Sequence, residues 1–334
     1  MSQKNDNPLP VLGPRPRYRQ LPGGGICAAA PAKINLDLLV GPRRADGYHP
    51  LDSIVAKVSL YDEITLSPRA DGQITLACGS ADCGPAETNL AYRAARLLAR
   101  HAGLGQERGS GIGGGSEGGG ARPAVGVDIA LVKHIPTGKG LGGGSSDAAA
   151  VLAGLDQLWH LAMPPGRLAE LAAKLGSDVP LFLGPPAARM TGRGEKLWPT
   201  AVHNFAAVLH MPDFACATAD VYRVLDRLPG AQKARAGPRR PMPTREAIDL
   251  ASAPPSTWRG RLRNDLTAPA EAVSEQLRET LRLLRRCAAA AVSMTGSGSA
   301  MFIICDSVDE AQAVARRLPP DLPGRTAIVL PNPW

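Results

Sequence analysis

The segment KHIPTGKGLGGGSSDAAAVLAGL, residues 133 to 155, constrains this chain more than any other. It holds six glycines, five of them between Gly138 and Gly144, followed by two serines, an aspartate and an alanine-rich helical pattern. The preceding AVGVDIALVKHIP alternates like a strand, so the order is strand, glycine loop, helix. A tight strand-to-helix turn needs one or two glycines. A denser run lets the backbone take positive φ and approach something closely. The helix starting near Ser145 offers free N–H groups and the positive end of its dipole, and both suit an anion. Ser145 and Ser146 stand where a hydroxyl either caps that helix or reaches a phosphate or its metal.

Two familiar phosphate loops fail on context. Gly138, Gly140 and Gly143 fit the dinucleotide spacing G-x-G-x-x-G, but that unit needs a second parallel strand after its helix. Here a second helix follows instead, PGRLAELAAKLG, with a proline suited to its first turn. The spacing G-x-x-x-x-G-K-[ST] also fails, because the lysine and hydroxyl are not in their places. A third type of phosphate cradle remains.

The 334 residues are 44% hydrophobic, enough for one large or two medium cores, and only 4% aromatic, so Ala, Val, Leu and Ile must build them. Strands are expected in ICAAAPAKINLDLLVG, SIVAKVSLYDEITLSP and GQITLAC. A helix is expected in ETNLAYRAARLLARHAG, capped by Thr88 or Asn89. The glycine-rich insert at about 104–121 reads as a flexible surface loop, since no strand enters it and no helix leaves it. SDVPLFLGPPAARMTGRGEKLWP reads as a loop with short strands. Beyond it come the strand FAAVLHMP, a capped helix in CATADVYRVLDRL, a loop over 228–260 and helices in RNDLTAPAEAVSEQLRETLRLLRRC. A strand, glycine turn and strand in AVSMTGSGSAMFIICD and a helix in SVDEAQAVARRL follow. The layout is α+β: a disordered leader at 1–24, a first domain at 25–195 and a second at 196–334.

An excess of 38 Lys+Arg over 30 Asp+Glu gives +8, with arginine concentrated in GPRPRYR, GPRR and RGRLR. A solvated surface explains this balance, so it decides nothing by itself. Cys27, Cys78, Cys83, Cys216, Cys287 and Cys305 are scattered, with no C-x-x-C pair and no zinc-like histidine spacing. They read as reduced thiols of a cytosolic protein. No run approaches the roughly 20 apolar residues of a membrane span, and the polar, proline-rich start lacks the apolar core of a secretory signal. The expectation is a soluble, cytoplasmic protein.

PTGKGLGGGSS resembles the hallmark loop of the GHMP kinase superfamily, a proline followed by G-L-G-x-x-S-S. GLGGGSSDAAA is similar to one branch of it, the kinases of 4-diphosphocytidyl-2-C-methyl-D-erythritol. PAKINLDL, ADGYHPLDSI, LGSDVPLFL, GRGEKL and MTGSGSAMF match that branch in order, over roughly residues 30 to 305. Three features depart from it: Lys139 stands where the family usually has a small residue, the insert is longer, and the leader is extra. The resemblance implies a two-domain GHMP kinase fold, with a ribosomal-protein-S5-like N-terminal domain and a ferredoxin-like α/β C-terminal domain. It implies ATP-dependent phosphorylation of the 2-hydroxyl of that substrate, in isoprenoid precursor synthesis by the non-mevalonate route. ATP is then the co-substrate and Mg2+ its metal. The expected partner is the small-molecule substrate, with no nucleic acid and no membrane, in a monomer or weak homodimer.

The resemblance also implies roles. Lys33 of PAKIN and Asp178 of GSDVP form the catalytic pair: Asp178 accepts or orients the hydroxyl proton, while Lys33 keeps it ionised and neutralises phosphate charge. ATP falls to Asn89, Lys133 and the loop Pro136, Thr137, Gly138, Lys139, Gly140, Leu141, Gly142, Gly143, Gly144, Ser145 and Ser146. Asn89 and Lys133 serve equally well as an ordinary cap and a surface group. Tyr48 stacks on the pyrimidine, His49 reads its edge and Tyr222 covers the other face. Asn35, two residues beyond Lys33 on a strand, faces the same way and with Thr218 is expected to meet the polyol or diphosphate. Magnesium is held mainly through phosphate oxygens, with Ser145 or Asp147 as protein ligands. Gly296 and Gly298 form a second close-approach turn. Two rivals stand beside this reading. A homoserine or mevalonate type of kinase shares the loop but lacks the Tyr-His motif. An RNA-binding module suits the basic balance but lacks aromatic and basic residues clustered on one strand pattern.

Overall fold

The computed structural model describes residues 8–79, 83–104, 125–228, 245–288 and 291–334. Two short strands, β1 (Val11–Leu12) and β2 (Tyr18–Gln20), precede two long ones, β3 (Ile26–Val40) and β4 (Leu51–Arg69). The first half continues with β5 (Ile74–Cys78), α1 (Leu90–His101), β6 (Gly126–Val132) and α2 (Gly143–Leu158). It closes with α3 (Pro165–Leu175), α4 (Val179–Leu183), β7 (Ala187–Gly192) and β8 (Lys196–Pro199). The second half holds β9 (Ala206–Met211), α5 (Thr218–Arg227), α6 (Arg245–Ser252), α7 (Thr267–Val273) and α8 (Glu275–Ala288). β10 (Val292–Met294), β11 (Met301–Cys305), α9 (Val308–Ala315) and β12 (Arg325–Val329) complete it.

Seven strands form the first sheet: β2, β3, β4, β6 and β5 pair in that order, while β7 joins the other end of β4 and β8 joins β7. The second sheet runs β1-β12-β9-β11-β10. With β9 to β12 counted as strands one to four, the order is four-one-three-two with antiparallel neighbours, the ferredoxin-like arrangement. The second sheet is buried on both sides. Val208 and Ile303 share a cluster with Leu225 and Leu281 of the helices, while their neighbours Leu209 and Phe302 face Ile34 and Leu36 of β3. Burial of both faces explains why β9 is continuously apolar.

β3 changes environment along its length. Ala28 and Ala30 pack with Ala94 of α1 and Leu152 of α2, whereas Ile34 and Leu36 pack under the second sheet. The β3–β4 register shifts between Pro31 and Ala32 and again between Asn35 and Asp37. Lys33 and Asn35 lie between these irregularities, which re-aim side chains where a regular ladder would not.

Several expectations need correction. The leader is ordered from residue 8: β1 pairs with β12 and β2 with β3, completing backbone edges that would otherwise stand open. Past the expected boundary at 195, β8 still hydrogen-bonds to β7 and so belongs to the first sheet. VPLFL is a short helix rather than loop or strand, started by a proline in its first turn. The 228–260 loop contains α6 and a 3-10 turn at Pro255–Trp258, held by a buried Trp258 whose Nε1 donates to Ala253 O at 3.0 Å. The helix α5 has no side-chain N-cap bond. The cysteines are not all free thiols, since Cys78 at the end of β5 is disulfide-bonded to Cys83, five residues on. Residues 1–7 of the leader, 105–121 of the insert and 229–244 of the loop lie outside the described residues.

Candidate active site

Gly138, Gly140 and Gly142 have φ of +69, +77 and +73°, while Lys139 and Leu141 between them are not left-handed. Such alternation is the backbone pattern of a nest, in which successive N–H groups turn toward one side and can receive an anion. Gly142 is also the N-cap of α2 and supplies no side chain to it, so the first-turn N–H groups stay open. The glycines have a second cause. A Cβ at Gly140 would sit 2.3 Å from the Thr295 carbonyl oxygen. At Gly142 it would sit 2.8 Å from Phe182 Cζ and 3.1 Å from Lys33 Cγ. Much of what lies close to this loop is therefore protein. It is wedged between β3, α4 and the turn carrying Gly296 and Gly298, and is locked by Lys33 N→Leu141 O at 2.9 Å and Ala300 N→Lys139 O at 3.1 Å.

Lys33 is 5% exposed, and its ammonium donates to Asn35 Oδ1 at 2.5 Å. Burial pulls its pKa below the ordinary lysine value, and the charge of Asp178 partly restores it. Asn35 Nδ2 donates to Ser53 Oγ at 2.8 Å, and Oδ1 also accepts from Thr295 Oγ1 at 3.2 Å. Its amide oxygen thus fixes the direction of the Lys33 ammonium. Asp178 is the N-cap residue of α4, yet its side chain makes no capping bond. Its charge reaches Lys33 and Tyr222, whose phenol is pushed up to about 12 by burial and then by Asp178.

Lys133 is not a surface group. Its ammonium bridges Asp62 and Asp147, with Asp147 Oδ2 at 2.7 Å, and Asp62 Oδ1 also accepts from Ile135 N at 2.8 Å. Burial lowers the Lys133 pKa, but the two carboxylates outweigh it and hold it above the ordinary value. Burial first, then the charge of Asp62, raises Asp147 well above the carboxylate range. Asp147 Oδ1 and Ser146 Oγ are buried without a hydrogen-bond partner. These orphaned oxygens near the start of α2 are donors a cation can use, and Asp147 lines the cleft described below. Among the described residues, no three His, Cys, Asp or Glu side chains gather into a metal cage. Asn89 caps α1 through Ala91 N at 2.9 Å.

A cleft of 580 Å³ opens between the domains. Asn89, Lys133, Pro136, Thr137, Lys139, Gly144 and Asp147 line one side, with Asp213, Ala215 and Arg325 on the other. Lys139 crosses between the two, donating to Phe214 O, which Ser299 Oγ also reaches at 2.6 Å.

The Tyr-His pair occupies a second region. His49 is buried, bonds Asp226 Oδ1 through Nε2 at 2.9 Å, and packs its ring 5.1 Å from that of Tyr222. Tyr48 is 54% exposed, and the Arg193 guanidinium covers one face of its ring at 3.8 Å. Thr218 Oγ1 meets Ser297 Oγ at 2.8 Å, tying α5 to the second glycine turn.

The GHMP kinases N terminal domain family matches residues 89–184, and the GHMP kinases C terminal family matches 255–322. A 4-diphosphocytidyl-2-C-methyl-D-erythritol kinase of Mycolicibacterium gilvum is 37% identical over 293 residues, 87% of this chain and 85% of its own length. The namesake from Thermobifida fusca is 37% identical over 306 residues, 88% of this chain and 91% of its own. The chain belongs to the 4-diphosphocytidyl-2-C-methyl-D-erythritol kinase family. A crystal structure of a 4-(cytidine 5'-diphospho)-2C-methyl-D-erythritol kinase superposes with a TM-score of 0.70 at 34% identity, covering 92% of this chain and 99% of the other. Homoserine kinase from Cytophaga hutchinsonii, at 16% identity and a TM-score of 0.65, shares the fold.

In this member of the 4-diphosphocytidyl-2-C-methyl-D-erythritol kinase family, sequence reasoning missed Asp62, Asp226, Arg193 and Thr295. Arg193 and Thr295 sit inside GRGEKL and MTGSGSAMF, so the motifs carried that signal. Asp62 and Asp226 are ordinary acidic residues whose partners lie 71 and 177 positions away.

Proposed function

We propose that this chain transfers the γ-phosphoryl group of ATP to the 2-hydroxyl of 4-diphosphocytidyl-2-C-methyl-D-erythritol, as a cytoplasmic enzyme of isoprenoid precursor synthesis. The observation that carries this reading is a carboxylate that caps nothing, Asp178, whose charge reaches a buried ammonium, Lys33, beside the alternating glycine loop. Phosphoryl transfer needs little more than positioning and charge stabilisation, and these groups supply both. The loop N–H groups and the start of α2 receive the phosphates. Lys33 offsets charge on the transferring group, with Asn35 fixing its direction. As the new O–P bond forms and ADP leaves, the 2-hydroxyl proton passes to Asp178. Magnesium, when bound with ATP, supplies further charge neutralisation; Asp147 and Ser146 would hold it beside the phosphates and water.

The cytidine end fits the Tyr-His region. In the neutral ring with Nε2 donating to Asp226, the other ring nitrogen of His49 is an acceptor, which suits the exocyclic amino group of cytosine and not the carbonyl of uracil. Tyr48, stiffened by Arg193, offers its free face for stacking. Every group named belongs to one chain, and among the described residues no helix is long and apolar enough to cross a membrane. The test is ADP formation by the purified enzyme with the cytidine substrate, homoserine and mevalonate in parallel. Turnover is expected with the first only; turnover with either of the others and not the first would overturn the assignment.

A further inference from the structure

Lys57 is 0% exposed in β4, directly opposite Lys33 in the β3–β4 ladder. Its ammonium donates to the backbone oxygens of Gly184 at 2.8 Å, Trp334 at 3.4 Å and Phe182 at 3.5 Å. Arg17 donates to the same Phe182 carbonyl at 3.3 Å. Phe182 and Gly184 lie at the C-terminal end of α4, and Asp178 stands at its N-terminal end.

This is an expensive arrangement. Burial drives the Lys57 ammonium down to about 7, and the nearby charge of Arg17 pushes the same way. An apolar side chain of equal length would fill the space without that desolvation. A destabilising group kept beside catalytic machinery points to a role in function rather than in stability.

The role follows from α4 itself. It has five residues, Pro180 removes an N–H from its first turn, and the Asp178 side chain does not cap it. Its side chains Val179, Leu181 and Phe182 are buried in the first core, and the grip on its far end, about 7.5 Å from Asp178, adds a polar hold on the backbone that these apolar contacts do not supply. Cations at the C-terminal carbonyls complete those bonds and complement the helix dipole.

We propose that Lys57 is a positioning residue for Asp178: together with Arg17 it anchors the C-terminal carbonyls of α4, and so fixes where the Asp178 carboxylate meets the acceptor hydroxyl. The proposal rests on the function given above, and the experiment keeps the two apart by using whichever acceptor alcohol the wild-type chain phosphorylates. Inactivity on the cytidine substrate would count against that function alone. Lys57→Met keeps the length and removes the donors. Its kcat is expected to fall about tenfold, since small misplacements of reacting groups are costly in rate. Both KM values should stay within about twofold and the melting temperature should be unchanged or higher. Arg17→Met, which removes one of the two donors to Phe182 O, should lower kcat by a smaller factor with the same pattern. An unchanged kcat in Lys57→Met, or KM values rising as kcat falls, overturns the proposal. If Lys57→Met does not fold, Arg17→Met decides alone, and an unchanged kcat there overturns it.

Discussion

Gly140→Ala adds a methyl group where the Thr295 carbonyl oxygen would lie 2.3 Å from it, at a backbone φ of +77°. The left-handed conformation alone costs about 1–2 kcal/mol for a residue with a Cβ. The oxygen is main chain and cannot swing aside, so the glycine loop and the 294–299 turn must part by about 1 Å to restore ordinary contact. That parting stretches Ala300 N→Lys139 O, now 3.1 Å, and Thr295 Oγ1→Gly140 O, now 3.4 Å. Each lost bond adds about 0.5–1.5 kcal/mol. The total is about 2–5 kcal/mol, a large part of the stability of an ordinary domain. Gly138→Ala is the control: its φ is also positive, at +69°, but the added Cβ meets only Ala215 Cβ at 3.6 Å. It should lose the backbone term and nothing more. Urea denaturation gives the two stabilities, and calorimetric titration gives the ATP affinities. Gly140→Ala should be the less stable by about 1–3 kcal/mol and bind ATP the more weakly. Equal losses in the two variants would refute the idea that the loop is wedged against the second glycine turn.

Tyr48→Ala should weaken the cytidine substrate by about 1–3 kcal/mol, by analogy with base stacking on aromatics, and leave ATP affinity unchanged; titration of both ligands checks it. Burial pulls His210 down to about 4 and leaves its Nε2 without a partner, so the folded state keeps it neutral while the unfolded chain takes up a proton below about 6.5. Its contribution is whole above about 6.5 and is lost as pH falls toward 4, by up to about 3 kcal/mol. His210→Gln should flatten that acid limb of the stability curve, and an unaltered limb would reject the assignment. Alkylation of the denatured, unreduced protein should label four cysteines and spare the Cys78–Cys83 pair, with all six labelled after reduction; six labelled before reduction would contradict the bridge.

What could be read from the sequence was local. Strand, glycine loop and helix follow from residues within about twenty positions of one another, and the Lys33–Asn35 contact follows from their spacing of two on a strand. Motif order carried the fold. The rest depends on distant partners: Asp62 for Lys133, Asp226 for His49, Thr295 for the loop. Gly142 shows the limit well. Its glycine reads as room for phosphate, but the missing Cβ makes room for Phe182 and Lys33. The short strands of the leader carry too few residues for a periodic pattern, and they form only because β12 and β3 offer edges to complete.

Asp178→Asn is the most direct measurement of how the site works, because the change is nearly isosteric and removes a carboxylate that caps nothing. Turnover of the cytidine substrate should fall about 10²-fold or more if the aspartate accepts the proton. The melting temperature and the affinities for ATP and for the cytidine substrate should stay close to wild type. Near-normal turnover in that folded, ligand-binding variant would contradict the assignment of Asp178 as the group that receives the hydroxyl proton.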